Sequence, residues 1–202
     1  MPVSRIGVLG GAFNPPHIGH LVLAHDAAHQ LGLERVLLIP VGEAPHREID
    51  PEPGADLRLE MVKRAALGDE LLEASGIEVE REGPSYTFRT LELLREKRPG
   101  DEVTLLMGAD VAASLADWKK PDRVLGLAGV GVAARPGTDL DEAETVLERL
   151  GARDGFDVVR MPELSVSSTR VRRRVASGRS IRYLVPDGVR ELIEARELYC
   201  DE

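Results

Sequence analysis

Residues 5–40, RIGVLGGAFNPPHIGHLVLAHDAAHQLGLERVLLIP, decide the fold. Ile6-Gly7-Val8-Leu9 is a short apolar run that exits into glycines, the pattern of a buried strand. From Ile18 to Leu31 the spacing is helical, with Leu21, Ala24 and Ala28 on one side. Residues 35–39, RVLLI, are a second apolar run, ended by Pro40. RVLLI does not alternate, and neither does VTLLM at 103–107. Strands that are buried on both faces lose the alternation of a half-exposed sheet, so the reading is a parallel sheet covered by helices.

The same alternation continues outward. Helices are expected over 57–67, 88–95 (stopped near Pro99-Gly100), 140–150, and from about Ser168 and Gly188. Strands are expected over 77–79, 103–107, 129–134 and 157–160, the third ended by the turn signal Arg135-Pro136-Gly137. The expected class is therefore α/β, a doubly wound parallel sheet with helices on both faces and helices at the C-terminal end. At 202 residues the chain reads as a single domain, 1–202. In such sheets ligands sit beyond the carboxyl ends of the strands, which directs attention to the residues after Leu9, Ile39, Met107, Ala134 and Arg160. The polar, Pro-rich loop 42–54 reads as a mobile, ligand-covering segment.

Composition narrows the function. Hydrophobic residues are 43% and charged residues 30%, ordinary for a globular chain, while aromatics at 3% leave the core to Leu, Val, Ala and Ile. Twenty-six Lys and Arg against 35 Asp and Glu give a net charge of −9. Such a chain repels polyanions overall, so neither a nucleic acid nor an anionic membrane is the expected partner. A small phosphorylated ligand in a local basic pocket remains compatible. The single cysteine, Cys200, precludes an intramolecular disulfide, and no run approaches a membrane span, so a cytoplasmic protein is expected.

Two segments carry chemistry. After the first strand comes Gly10-Gly11-Ala12-Phe13-Asn14-Pro15-Pro16-His17-Ile18-Gly19-His20. With a helix starting near Ile18, His17 and His20 both lie at its N-terminal end, where amide N–H groups and the helix dipole favour an anion. The plain alternative is a Gly/Pro turn with two exposed histidines, which would contribute little to packing. Neither the dinucleotide fingerprint nor the P-loop pattern occurs. The second segment, SVSSTRVRRRVASGRSIR at 165–182, holds six arginines and no acidic residue. Ser167, Ser168 and Thr169 are N-cap types, and Arg170 to Arg174 would crowd the first turns of the helix against its dipole unless an anion binds there. No aromatics interleave with these arginines, which argues against RNA.

His17-Ile18-Gly19-His20 is the HxGH signature of the nucleotidyltransferase superfamily, and Val166-Ser167-Ser168-Thr169-Arg170-Val171-Arg172 resembles its second signature. Between them, Ala44-Pro45-His46-Arg47, Ser85-Tyr86-Thr87 with Thr90-Leu91, and Met107-Gly108-Ala109-Asp110 match in order. So do Leu115 to Trp118, Arg135-Pro136-Gly137 and Ile181 to Pro186. This ordered set resembles the bacterial nicotinate-nucleotide adenylyltransferase family over nearly the whole chain. The resemblance implies a Rossmann-like sheet and adenylyl transfer from ATP to nicotinate mononucleotide, giving deamido-NAD and pyrophosphate with magnesium. It also implies loop contacts from Gly11, Ala12 and Phe13, ATP phosphates on His17 and His20, and a helix-end phosphate site with Ser168, Thr169 and Arg172. Asp110 would lie at the nucleotide sugar, Thr87 and Trp118 at the nicotinate ring, and Arg47 on the mobile loop. His17 and His20 would be the catalytic pair.

Three positions depart from the family pattern. Ala12 and Asn14 stand where a hydroxyl residue and an Asp are usual, and Lys119 follows Trp118 where an aromatic is commoner. Physically, a mononucleotide phosphate is already nucleophilic at neutral pH, so the enzyme has to align two polyanions and stabilise charge rather than activate a nucleophile. No Asp/Glu cluster suggests a magnesium cage, so Mg2+ is expected to arrive chelated by ATP. Trp118 could instead be a partly buried core anchor. The competing readings are another HxGH enzyme, such as a pantetheine-phosphate adenylyltransferase, and a non-catalytic nucleotide-binding module. A homo-oligomer is compatible with the sequence.

Overall fold

A computed structural model describes residues 3–45, 49–50, 53–134, 137–152 and 155–200. The opening unit forms as read: β1 (Arg5–Gly11), α1 (Ile18–Leu31) and β2 (Arg35–Pro40). Next come α2 (Ala55–Ala66), β3 (Leu72–Ala74), α3 (Thr87–Lys97) and β4 (Glu102–Gly108). Two short helices, α4 (Ala109–Ala113) and α5 (Pro121–Leu125), flank a 3-10 turn at Leu115–Asp117. The chain continues through β5 (Gly129–Ala134), α6 (Asp141–Arg149), β6 (Asp157–Arg160), α7 (Ser168–Ala176) and α8 (Asp187–Ala195).

The strands form one parallel six-stranded sheet in the order β3-β2-β1-β4-β5-β6. This is the Rossmann-type order, and the direction of winding reverses between β1 and β4. Leu9 pairs with Leu106, Met107 with Val132, and Val132 with Val158. Of the apolar runs that do not alternate, Val36, Leu37, Leu38 and Ile39 in β2 and Leu105, Leu106 and Met107 in β4 are buried, while Arg35 is exposed and Val103 and Thr104 are half-buried.

One strand lies elsewhere than expected. Residues 77–79 form a turn, closed by Glu80 N–H donating to the Gly76 carbonyl at 2.8 Å, and the strand is Leu72–Ala74. Ile77 is buried within that turn, so its apolar, β-branched character serves the core without a ladder. The short helices between 109 and 125 carry too few periodic turns to be read from the pattern.

The chain falls into two compact units, each discontinuous in sequence. The first comprises residues 1–9, 23–37 and 86–163. Its helices bury one stripe each: Ala24, Ala27 and Ala28 from α1, Leu91 and Leu94 from α3, and Ala143, Val146 and Leu147 from α6. The acidic residues of α6 occupy its solvated side. The second unit comprises residues 10–22, 38–85 and 164–202. Its core gathers Met61 and Ala65 of α2, Val171 of α7, Ile181, Val185, and Val189, Leu192 and Ile193 of α8.

Candidate active site

The second unit holds both signatures. The loop leaving β1 passes through Phe13, whose φ of 48° is unusual for a residue with a side chain, and whose ring is buried. Helix α1 begins at Ile18, as the spacing implies. The imidazoles of His17 and His20 lie stacked, with centroids 3.7 Å apart and planes at 19°. The Phe13 ring leans on His20 at 4.9 Å and 60°. Gly19 allows this pairing, because a Cβ there would meet the His17 ring and Val166 at 3.1 Å.

The alternative of two exposed histidines does not hold. His17 is 7% exposed and His20 half-buried, so both are packed groups. The His17 backbone N–H donates to Nδ1 of His20 at 3.1 Å. An Nδ1 that accepts carries no proton, so the neutral ring bears its proton on Nε2, as a donor. Burial, and then the neighbouring His17, hold the His20 imidazole well below its ordinary value of 6.5. Protonating Nδ1 would also cost the bond from His17 N–H.

Helix α7 docks on the same loop. Its N-cap is Ser167, whose Oγ accepts from Arg170 N–H at 3.2 Å. Ser168 Oγ donates to the Pro15 carbonyl at 2.8 Å, and Arg172 Nη1 donates to the Asn14 carbonyl at 3.0 Å. Thr169 is exposed beside them. The crowding of arginines is milder than the sequence suggests. The helix ends at Ala176, so Arg173 and Arg174 fall in its last turn, where cations oppose no dipole. Arg170 is tied to Ser165, and Arg174 Nε donates to the Ser180 carbonyl at 2.8 Å.

Two contributors escaped the sequence reading. Arg58 of α2 is fully buried and donates to the carbonyls of Ala12 (3.1 Å), Val41 (2.6 Å) and Gly42 (3.2 Å). Its signal was a charge on an apolar face, in register with Met61, Val62 and Ala65 of the same helix. Tyr199, near the C-terminus, donates its hydroxyl to Asn14 Oδ1 at 2.6 Å. Asn14 is itself buried, so the amide that departs from the family pattern serves as an internal acceptor.

Of the remaining expected residues, Gly11 ends β1 and Ala12 lies with Phe13 in the loop that follows, while Arg47 falls outside the described residues. Thr87, Asp110 and Trp118 belong to the first unit. There Thr87 opens α3, and Asp110 sits in the first turn of α4 with its carboxylate folded back over Gly108. Trp118 is half-buried directly after the 3-10 turn. Helices α3 and α5 pack together, with Lys120 Nζ 4.6 Å from the centre of the Phe88 ring. Phe88 lies stacked at 6.0 Å from Tyr86. Among the described residues no three His, Cys, Asp or Glu side chains are grouped to hold a metal ion.

The cytidylyltransferase-like family matches residues 8–174. A relative from Rubrobacter xylanophilus, named as a probable nicotinate-nucleotide adenylyltransferase, is 42% identical over 96% of this chain and 92% of its own length. One of the same name from Exiguobacterium sibiricum is 43% identical over 97% and 99%. The chain belongs to the nicotinate-nucleotide adenylyltransferase family. Its fold is also that of the Plasmodium falciparum nicotinic acid mononucleotide adenylyltransferase complexed with NaAD, with a TM-score of 0.76 at 15% identity over 97% of each chain. For a nicotinate-nucleotide adenylyltransferase the stacked histidines coincide with HxGH, and α7 coincides with the second signature.

Proposed function

We infer that the protein transfers the adenylyl group of ATP to nicotinate mononucleotide, forming deamido-NAD and pyrophosphate. The observation that carries this reading is the stacked His17–His20 pair on the loop that α7 also contacts. A phosphate oxygen of the mononucleotide attacks the α-phosphorus of ATP. The bond from that phosphorus to the bridging oxygen of the β-phosphate breaks, and pyrophosphate leaves with the electron pair. No proton has to be removed from the nucleophile, which suits a site in which the His20 imidazole is a neutral donor rather than a base.

In this reading His20 Nε2–H and His17 meet the ATP phosphates, and the loop 11–13 lies along them. The N-terminal turn of α7, with Ser168, Thr169 and Arg172, supplies the helix-end potential. Thr87, Asp110 and Trp118 would form the mononucleotide side, with Trp118 against the nicotinate ring and Arg47 on the covering loop. Magnesium would arrive on the ATP, since imidazoles are poor ligands for so hard a cation and the described carboxylates do not cluster. The 202 residues would act as one catalytic domain, in the cytoplasm. A homo-oligomer is compatible with this account.

A pyrophosphate-release assay with ATP, magnesium and a panel of acceptors tests the reading. Nicotinate mononucleotide should be used far better than pantetheine phosphate. The reverse order would assign the protein to another branch of the superfamily, and no turnover with any acceptor would favour a nucleotide-binding module.

A further inference from the structure

We propose that Arg58 is a positioning residue that sets the direction of the backbone N–H groups at Ala12 and Phe13. This rests on the reading of residues 11–13 as the loop along the ATP phosphates. Burying a charge is costly unless hydrogen bonds satisfy it, and Arg58 is fully buried. It donates to backbone carbonyls on two loops, the one leaving β1 and the one leaving β2.

The consequence follows from peptide geometry. In a trans peptide the carbonyl and the following N–H point in opposite directions. Arg58 Nη1 holds the Ala12 carbonyl on its own side at 3.1 Å, so the N–H of Phe13 is directed away from it. The Gly11 carbonyl accepts from Val41 N–H at 2.9 Å, which directs the N–H of Ala12 away from Val41. Arg58 also holds the Val41 carbonyl at 2.6 Å, so one side chain braces both strands of this contact.

The brace is shaped for a fork. Nη1 bridges Ala12 and Val41 while Nη2 reaches Gly42, whose backbone lies so close to the Glu78 carbonyl that a Cβ would come within 2.4 Å of it. Phe13, at a φ of 48°, keeps a conformation that an unbraced residue leaves readily. A lysine retains the charge but cannot span three acceptors in one plane.

Arg58→Lys and Arg58→Gln test this against the wild-type enzyme, with circular dichroism as the check of folding. ATP saturation is measured at saturating mononucleotide, mononucleotide saturation at saturating ATP, and Mg-ATP binding by calorimetry. The expected result for folded Arg58→Lys is a kcat/KM for ATP lower by about 10²-fold, the cost of misplacing a contact by about 1 Å, with weakened Mg-ATP binding and an unchanged KM for the mononucleotide. Any of three results overturns the proposal: an unchanged kcat/KM for ATP in Arg58→Lys, equal losses for both substrates, or failure of both variants to fold. Wild-type protein that binds Mg-ATP without making dinucleotide would defeat the activity reading alone, leaving the binding arm to judge Arg58. Wild-type protein that binds no Mg-ATP would defeat both.

Discussion

The two histidines of the HxGH motif sit in different surroundings, and their variants should separate. His20 presents an Nε2 donor, because its Nδ1 is occupied by the His17 N–H. Its removal should tell mainly in the transition state. His20→Ala is expected to lower kcat by about 10²-fold or more, the loss seen when an oxyanion donor is deleted. His17 is 7% exposed and stacked on its neighbour, so His17→Ala should lower the melting temperature as well as kcat. Equal melting temperatures for the two variants would contradict this division. Trp118 has its own test. An indole against the nicotinate ring is worth about 1–3 kcal/mol, so Trp118→Ala should raise the mononucleotide KM by roughly 5- to 150-fold and spare that for ATP. A lowered melting temperature with an unchanged mononucleotide KM would instead make it a core anchor. The His17–His20 pair was legible because two histidines, glycines and prolines after a first strand are an unusual conjunction. Arg58 was not, because in a linear reading an arginine in a helix is a solvated residue until its face is known.

Among the elements, the C-terminal segment behaves as a strut for the β1 loop. Tyr199 is buried, and its hydroxyl bonds to Asn14 Oδ1 at 2.6 Å, while the Asn14 carbonyl takes Arg172. Tyr199→Phe removes one buried hydrogen bond and leaves an acceptor short of it, a loss of about 1–3 kcal/mol. In a chain of this size that corresponds to roughly 2–4 °C of melting temperature per kcal/mol, measurable by calorimetry. An unchanged melting temperature would show that the bond carries no stability. Helices α1, α6 and α8 and strands β2 and β4 were legible from apolar periodicity, since their burial is one-sided or complete. The misplaced strand at 77–79 shows the limit. Ile77 and Val79 satisfy the composition of a strand, yet the preceding Gly76 allows the turn that buries Ile77, and Leu72–Ala74 takes the place in the sheet. A three-residue edge strand offers too little pattern to compete.

At the scale of the whole molecule, an acidic chain concentrates its positive charge locally. The net charge of −9 coexists with six arginines over 165–182 and with helix N-termini at Ile18 and Ser168. Acid should expose one weakness of this design. The folded state holds His20 below 6.5, so the unfolded chain binds more protons there once the pH falls under that value. The stability that neutral His20 contributes is therefore complete above pH 6.5 and is lost progressively below it. Thermal melts between pH 7 and 5 should show a shallower decline for His20→Gln than for the wild type. Parallel declines would argue that His20 does not titrate abnormally.

The central claim is a single displacement at the α-phosphorus, with no covalent adenylyl-enzyme, and stereochemistry tests it most directly. The measurement is the configuration at phosphorus of the thio-substituted deamido-NAD made from one diastereomer of α-thio-ATP and nicotinate mononucleotide. One in-line attack between the two bound substrates predicts inversion. Retention, the mark of two successive displacements, or the absence of any dinucleotide product, would contradict the account.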